Sequence, residues 1–144
     1  AHLKLTELRA HADAERRALL EQERRARAAA ESASRAKDEF LAVLSHAEHL
    51  QIPRETLLQR TLFACDELSG FIHACGLVRP TGLEGLEPKS VKKKLKQPSF
   101  AAGVHRDEVY AGAELLGIDL DEHIANVVTA LRPIAAELGL PLPG

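Results

Sequence analysis

The sequence predicts an all-α protein, with a long N-terminal coiled-coil-like helix followed by a compact bundle of about four to five helices. Three observations carry that expectation. Residues 3–50 contain neither glycine nor proline. Beyond Pro53, apolar residues recur at three- and four-residue intervals, and no stretch sustains the alternation of a half-buried strand. The expected division is a long coiled-coil helix over residues 1–50 and a compact helical region over residues 51–144.

In the first segment, a heptad register places Leu5, Ala12, Leu19, Ala26, Ala33 and Phe40 at a. Leu8, Glu15, Gln22, Ala29, Ala36 and Val43 fall at d, so ten of the twelve seam residues are apolar. Arginine and glutamate fill the intervening positions, as in ERRALLEQERRARAAAE, where i,i+4 ion pairs contribute about 0.2–0.5 kcal/mol each. An alanine-rich seam buries too little area for a lone helix, so it should pair with a second copy or pack on the C-terminal region. A parallel homodimer is the expected solution.

Pro53 interrupts this pattern, because it lacks a backbone N–H and disfavours helical geometry in the residue before it. From residue 54 to about 77, Leu57, Leu58, Leu62, Cys65, Leu68, Ile72 and Cys75 follow helical spacing, with Phe63 and Phe71 widening the face. Residues 79–88, rich in glycine and proline, predict a loop. Ser90 then caps a short basic helix, VKKKLK, that Pro98 ends. A turn at residues 100–103 precedes a helix over residues 106–116 that stops at Gly117. Asp119 and Glu122 have the spacing of a capping box, opening a last helix with Ile124, Val127, Val128, Leu131, Ile134 and Leu138 on one face. Pro133 should kink it before Gly139.

Composition narrows the function classes. Hydrophobic residues make up 45% and charged residues 28%, with five aromatics and no Trp or Met, so aliphatic side chains must supply the core. The net charge of -2 offers no global attraction to nucleic acid or an anionic membrane. No run reaches the roughly 18 apolar residues of a bilayer span, and the N-terminus lacks the apolar core of a secretion signal, so a cytoplasmic protein is expected. Cys65 and Cys75 stand ten residues apart, about 15 Å along one helix, too far for a disulfide; both are expected as buried thiols. The chain opens on Ala1 and ends PLPG, as expected of a fragment or a chimera.

Residues 34–46, SRAKDEFLAVLSH, resemble the first dimerisation helix of sensor histidine kinases, with Asp38 and Glu39 where that family carries its acidic pair. The resemblance implies His46 as phosphoacceptor: an imidazole nitrogen on an exposed helix attacks a phosphoryl group without an elaborate site. The chain departs from that family after His46, reading Ala47, Glu48, His49 and Leu50 before the delayed Pro53. It also lacks the Asn-rich and Gly-rich boxes of an ATP-binding kinase domain.

Residues 45–140 resemble the C-terminal half of bacterial HD-type metal-dependent phosphohydrolases. The resemblance rests on SHAEHLQIPRETLL, TLFACDELSGFIHACGLVRP, KSVKKKLKQPSFAAGVHRDEV and LGIDLDEHI, in that order. It implies an all-α hydrolase in which histidines, a His-Asp pair and a distal aspartate hold a divalent metal ion that activates water. Asp66 stands at the place of the distal aspartate. None of the seven histidines is followed by Asp, so the central pair is missing and a catalytically incomplete module is expected.

His46 and His49, three residues apart, could join Asp66 as a rebuilt set of metal ligands. Lys92, Lys93 and Lys94, with Arg79, form a candidate phosphate-binding group, to which Lys89, Lys96 and Arg106 add charge. No aromatics interleave this run, which argues against a nucleic-acid platform. His73, His105 and His123 have no convergent partners in sequence and are expected to be structural. The expected partners are thus a second copy of the chain, and a phosphorylated small molecule or a kinase or response-regulator protein. Three functions stay open: an incomplete phosphohydrolase-like module, a two-component signalling fragment phosphorylated on His46, and a chimeric chain without evolved activity.

Overall fold

The computed structural model describes residues 2–45, 47 and 50–143. Among these residues the fold is all-helical: α1 (His2–Ser45), α2 (Leu57–Leu77), α3 (Pro88–Leu95), α4 (Arg106–Leu116) and α5 (Leu120–Leu131), followed by a 3-10 turn, Arg132–Ile134. The chain divides into two units, Ala1–Leu41 and Ala42–Gly144. The compact unit thus takes in the end of α1, upstream of the break expected at Pro53.

In the first unit, residues 9–40 are all exposed. Leu19 keeps 67% of its surface accessible and Phe40 63%, so the seam from Ala12 to Phe40 meets solvent. Arg25 pairs with Glu21 and Arg27 with Glu31, each at 3.0 Å and one helical turn apart. Such solvated pairs add only tenths of a kcal/mol. Helical propensity and these pairs hold the local conformation.

The compact unit starts where burial starts. Ala42 and Ser45 are buried, and the Ser45 hydroxyl donates to Ala42 O at 2.8 Å. Arg54 donates from Nε to Ser45 O at 2.9 Å and lays its guanidinium 3.7 Å from the centre of the Phe63 ring, tying the last turn of α1 to α2. α1 stops at Ser45, short of residue 50, and Gln51 then takes a left-handed φ of 50° that no helix continues through.

α2 begins at Leu57 because Thr56 and Gln59 form a capping box. Thr56 Oγ1 accepts from Gln59 N at 3.2 Å, and Gln59 Oε1 accepts from Thr56 N and Glu55 N at 2.9 Å each. The inward face is rotated from the one the leucines suggested. Phe63, Ala64, Leu68, Phe71, Ile72 and Cys75 are buried, while Leu57 is 74% exposed and Leu58 and Leu62 also face out. Phe63 and Phe71 share the buried face with Leu68, Ile72 and Cys75.

α2 packs against α3, α4 and α5. Its core residues meet Leu83 and Leu86 of the following loop, Val91 and Leu95 of α3, Val109 of α4, and Ile124 and Val128 of α5. Phe100 meets the Phe71 ring edge-on, with centroids 5.5 Å apart. α2 and α4 approach each other closely. A Cβ on Gly112 would lie 2.6 Å from Ala64 Cα, so only glycine permits that spacing.

The helix ends follow local chemistry. Pro88 occupies the first turn of α3 after Glu87, which places Ser90 inside the helix rather than at its cap. α4 closes on left-handed Gly117, as expected. Asp119 caps α5 by accepting from Asp121 N at 2.8 Å, not from Glu122. Pro133 ends α5 instead of kinking it, and the chain returns through the 3-10 turn to bury Ala135 and Leu140. Residues 97–104 form hydrogen-bonded turns gathered by Arg106. Among the described residues, no helix is long and apolar enough to cross a membrane.

Candidate functional site

Asp66 and Glu67 are consecutive on α2, yet their surroundings differ. Asp66 is exposed, and its carbonyl accepts the Ser69 hydroxyl at 2.9 Å. His46 and His49, proposed as its co-ligands, lie outside the described residues. Among the described residues no metal-binding set includes Asp66.

Glu67 faces α4, and its carboxylate brackets His105 at the N-cap of that helix. Oε2 accepts from the His105 backbone N–H at 2.9 Å, and Oε1 lies 3.0 Å from His105 Nδ1. Glu108, one turn into α4, brings its Oε1 to 3.9 Å from the same nitrogen. The three side chains are the one set among the described residues whose donor atoms converge, all within 4.8 Å of one another. Both glutamate side chains are four-fifths covered, at 19% and 20% accessible, while the imidazole is 67% accessible. The set forms a carboxylate-lined notch closed by an exposed ring.

Hydrogen bonding to the Glu67 carboxylate, with its charge and that of Glu108, raises the His105 pKa above the ordinary 6.5. A group whose folded pKa is raised contributes stability that is complete below its unfolded pKa and fades as pH rises through the folded one. NMR titration of His105 should therefore give a midpoint above 6.5, which Glu67→Gln lowers; an equal midpoint in both proteins would contradict the pairing. Sequence reading passed over this set. The His105–Glu108 spacing of three residues at a helix start is visible, but Glu67 lies 38 residues away in the chain.

Of the basic residues, Arg79, Lys92, Lys94 and Arg106 make intramolecular contacts. Arg79 staples its own loop, donating to Gly82 O at 3.1 Å and Glu84 O at 2.9 Å. Lys92 donates to Asp121 Oδ2 at 2.8 Å, a bond that raises its pKa and keeps it charged. Lys94 rests 4.2 Å from the centre of the Phe100 ring. Lys93 is exposed. Arg106 spends its guanidinium on Leu95 O, Val104 O, Gln97 O, Ala101 O and Phe100 O.

A shallow groove of about 250 Å³ runs beside α2, lined by Cys65, Leu116, Ile118, Val127 and their neighbours. Cys75 is buried and Cys65 half-buried. Burial pushes both thiols up, Cys75 to about 11, so neither is a nucleophile at neutral pH. His123 is buried, its Nε2 donating to Ala64 O at 2.9 Å, and His73 Nε2 lies 3.0 Å from Leu138 O. His123 thus joins α5 to α2, and His73 joins α2 to the turn at Leu138.

No protein-family model, curated protein or solved structure matches the chain. What stands is the class: an all-helical protein whose first unit is one exposed helix and whose second is a compact helical unit with a carboxylate–imidazole notch.

Proposed function

We propose that the chain is a dimeric, cytoplasmic signalling module in which a histidine-kinase-type helix joins an HD-hydrolase-like helical unit that has lost its catalytic metal centre. The carrying observation is the uncovered seam of α1. Residues 9–40 are exposed throughout, and Leu19 and Phe40 occupy a positions three heptads apart with nothing over them. Exposed apolar residues in heptad register suit a second copy of the same helix, because knobs and holes then match along the whole seam. The absence of a His-Asp pair and the solvent-facing Asp66 support a regulatory rather than hydrolytic role. Two unpaired thiols too far apart to bridge suit a reducing compartment.

Sedimentation equilibrium at micromolar concentration is expected to give twice the 15.7 kDa chain mass, and Leu19→Glu with Phe40→Glu should return the protein to a monomer. A monomeric wild-type chain would sink the proposal. The accompanying expectation is no Mn2+-dependent turnover of a generic phosphoester; turnover abolished by Asp66→Ala would restore a hydrolytic reading.

A further inference from the structure

We infer that Glu67, His105 and Glu108 bind a divalent first-row transition-metal ion, such as Zn2+, where α2 meets the first turn of α4. The site is independent of the dimer reading and of Asp66.

The donor set is half-organised already. The His105 backbone N–H holds Glu67 Oε2 at 2.9 Å, which leaves Oε1 facing Nδ1 of the same residue at 3.0 Å. Glu108 Oε1 lies 3.9 Å from that nitrogen. An ion at about 2.0–2.2 Å from each donor needs them roughly 3.3 Å apart, so small side-chain rotations suffice and neither helix has to move. The backbone clamp on Oε2 also survives ligation, because it does not involve the ring.

Charge favours a cation despite the location. The N-terminus of α4 carries the equivalent of about half a positive charge. Asp107 and Glu108 of its first turn and Glu67 from α2 set three whole negative charges against it. Glu67 has no lysine or arginine partner among the described residues, so His105 is what now offsets it. A metal ion takes the place of the proton on Nδ1, which passes to solvent.

The donor chemistry selects the ion. One imidazole nitrogen and two carboxylates suit Zn2+, Co2+ or Mn2+, whereas Ca2+ and Mg2+ take shells built from oxygen. The exposed side of His105 leaves room for water to complete the coordination shell.

The 144-residue chain, purified without a histidine tag and stripped of metal, is titrated with cobalt chloride at neutral pH. The expected result is saturation at one equivalent with visible d–d absorption, reversed by Zn2+. Glu108→Gln, which keeps size and hydrogen bonding, and His105→Asn should each weaken binding roughly tenfold or more with the far-UV circular dichroism unchanged, whereas Asp66→Asn binds like the parent. The inference is overturned if the parent chain binds neither Co2+ nor Zn2+ saturably, or if both variants at positions 105 and 108 bind as tightly as the parent.

Discussion

Replacing Arg106 with alanine is expected to destabilise the protein by about 2–4 kcal/mol, read as a lowered urea midpoint at unchanged slope. The guanidinium donates to carbonyls of Leu95, Gln97, Phe100, Ala101 and Val104, so one side chain folds the whole connection from α3 to α4. Removing it takes the guanidinium from the Leu95, Phe100 and Val104 carbonyls in a partly covered place, while Gln97 O and Ala101 O keep their backbone donors from Phe100 and Val104. Arg106→Lys should recover little, because a single ammonium cannot span what a planar five-donor fork spans. A midpoint within experimental error of the parent protein would show that water replaces the fork at no cost.

Phe71→Ala is expected to cost about 3–5 kcal/mol, the range for emptying a fully buried aromatic position. Phe71 is fully buried, touches the Phe100 ring edge, and lies 5.6 Å from the Arg106 guanidinium. The two substitutions share Phe100, whose carbonyl one holds and whose ring the other supports. Their double variant should therefore lose less than the sum of the single losses. Strict additivity would mean that the turn and the core are independent.

Local chemistry was legible in the sequence wherever a residue acts on its own neighbours. Gly117 announced the end of α4 through its tolerance of positive φ, and Asp119 announced the start of α5. Helical spacing sufficed for the all-α class. The orientation of α2 was harder to read, because Leu57, Leu58 and Leu62 match a buried stripe as well as Phe63 and Phe71 do. Only the packing partners decide between the two faces. Thr56 and Gln59 form a capping box that Pro53 overshadowed as a helix start.

For the site, the sequence led to charged strings, whereas the structure showed where those charges are used. Lys92 pairs with Asp121, 29 residues on, and Arg79 and Arg106 bind carbonyl oxygens. Neither partnership leaves a periodic mark. The notch at Glu67 went unread for the same reason: His105 acquires its partner only when α4 docks on α2.

The close contact at Ala64 bears on how the compact unit comes together. The Cα of Ala64 admits Gly112 of α4, and its carbonyl receives the His123 ring of α5, 59 residues further along the chain. Both contacts demand that long loops close before either is rewarded. Such separations slow the search for the native arrangement, and α2 and α4 formed alone would expose the faces that α5 covers. Folding of this region should thus pass in one step, with Ala64 the point at which three helices become a single cooperative body.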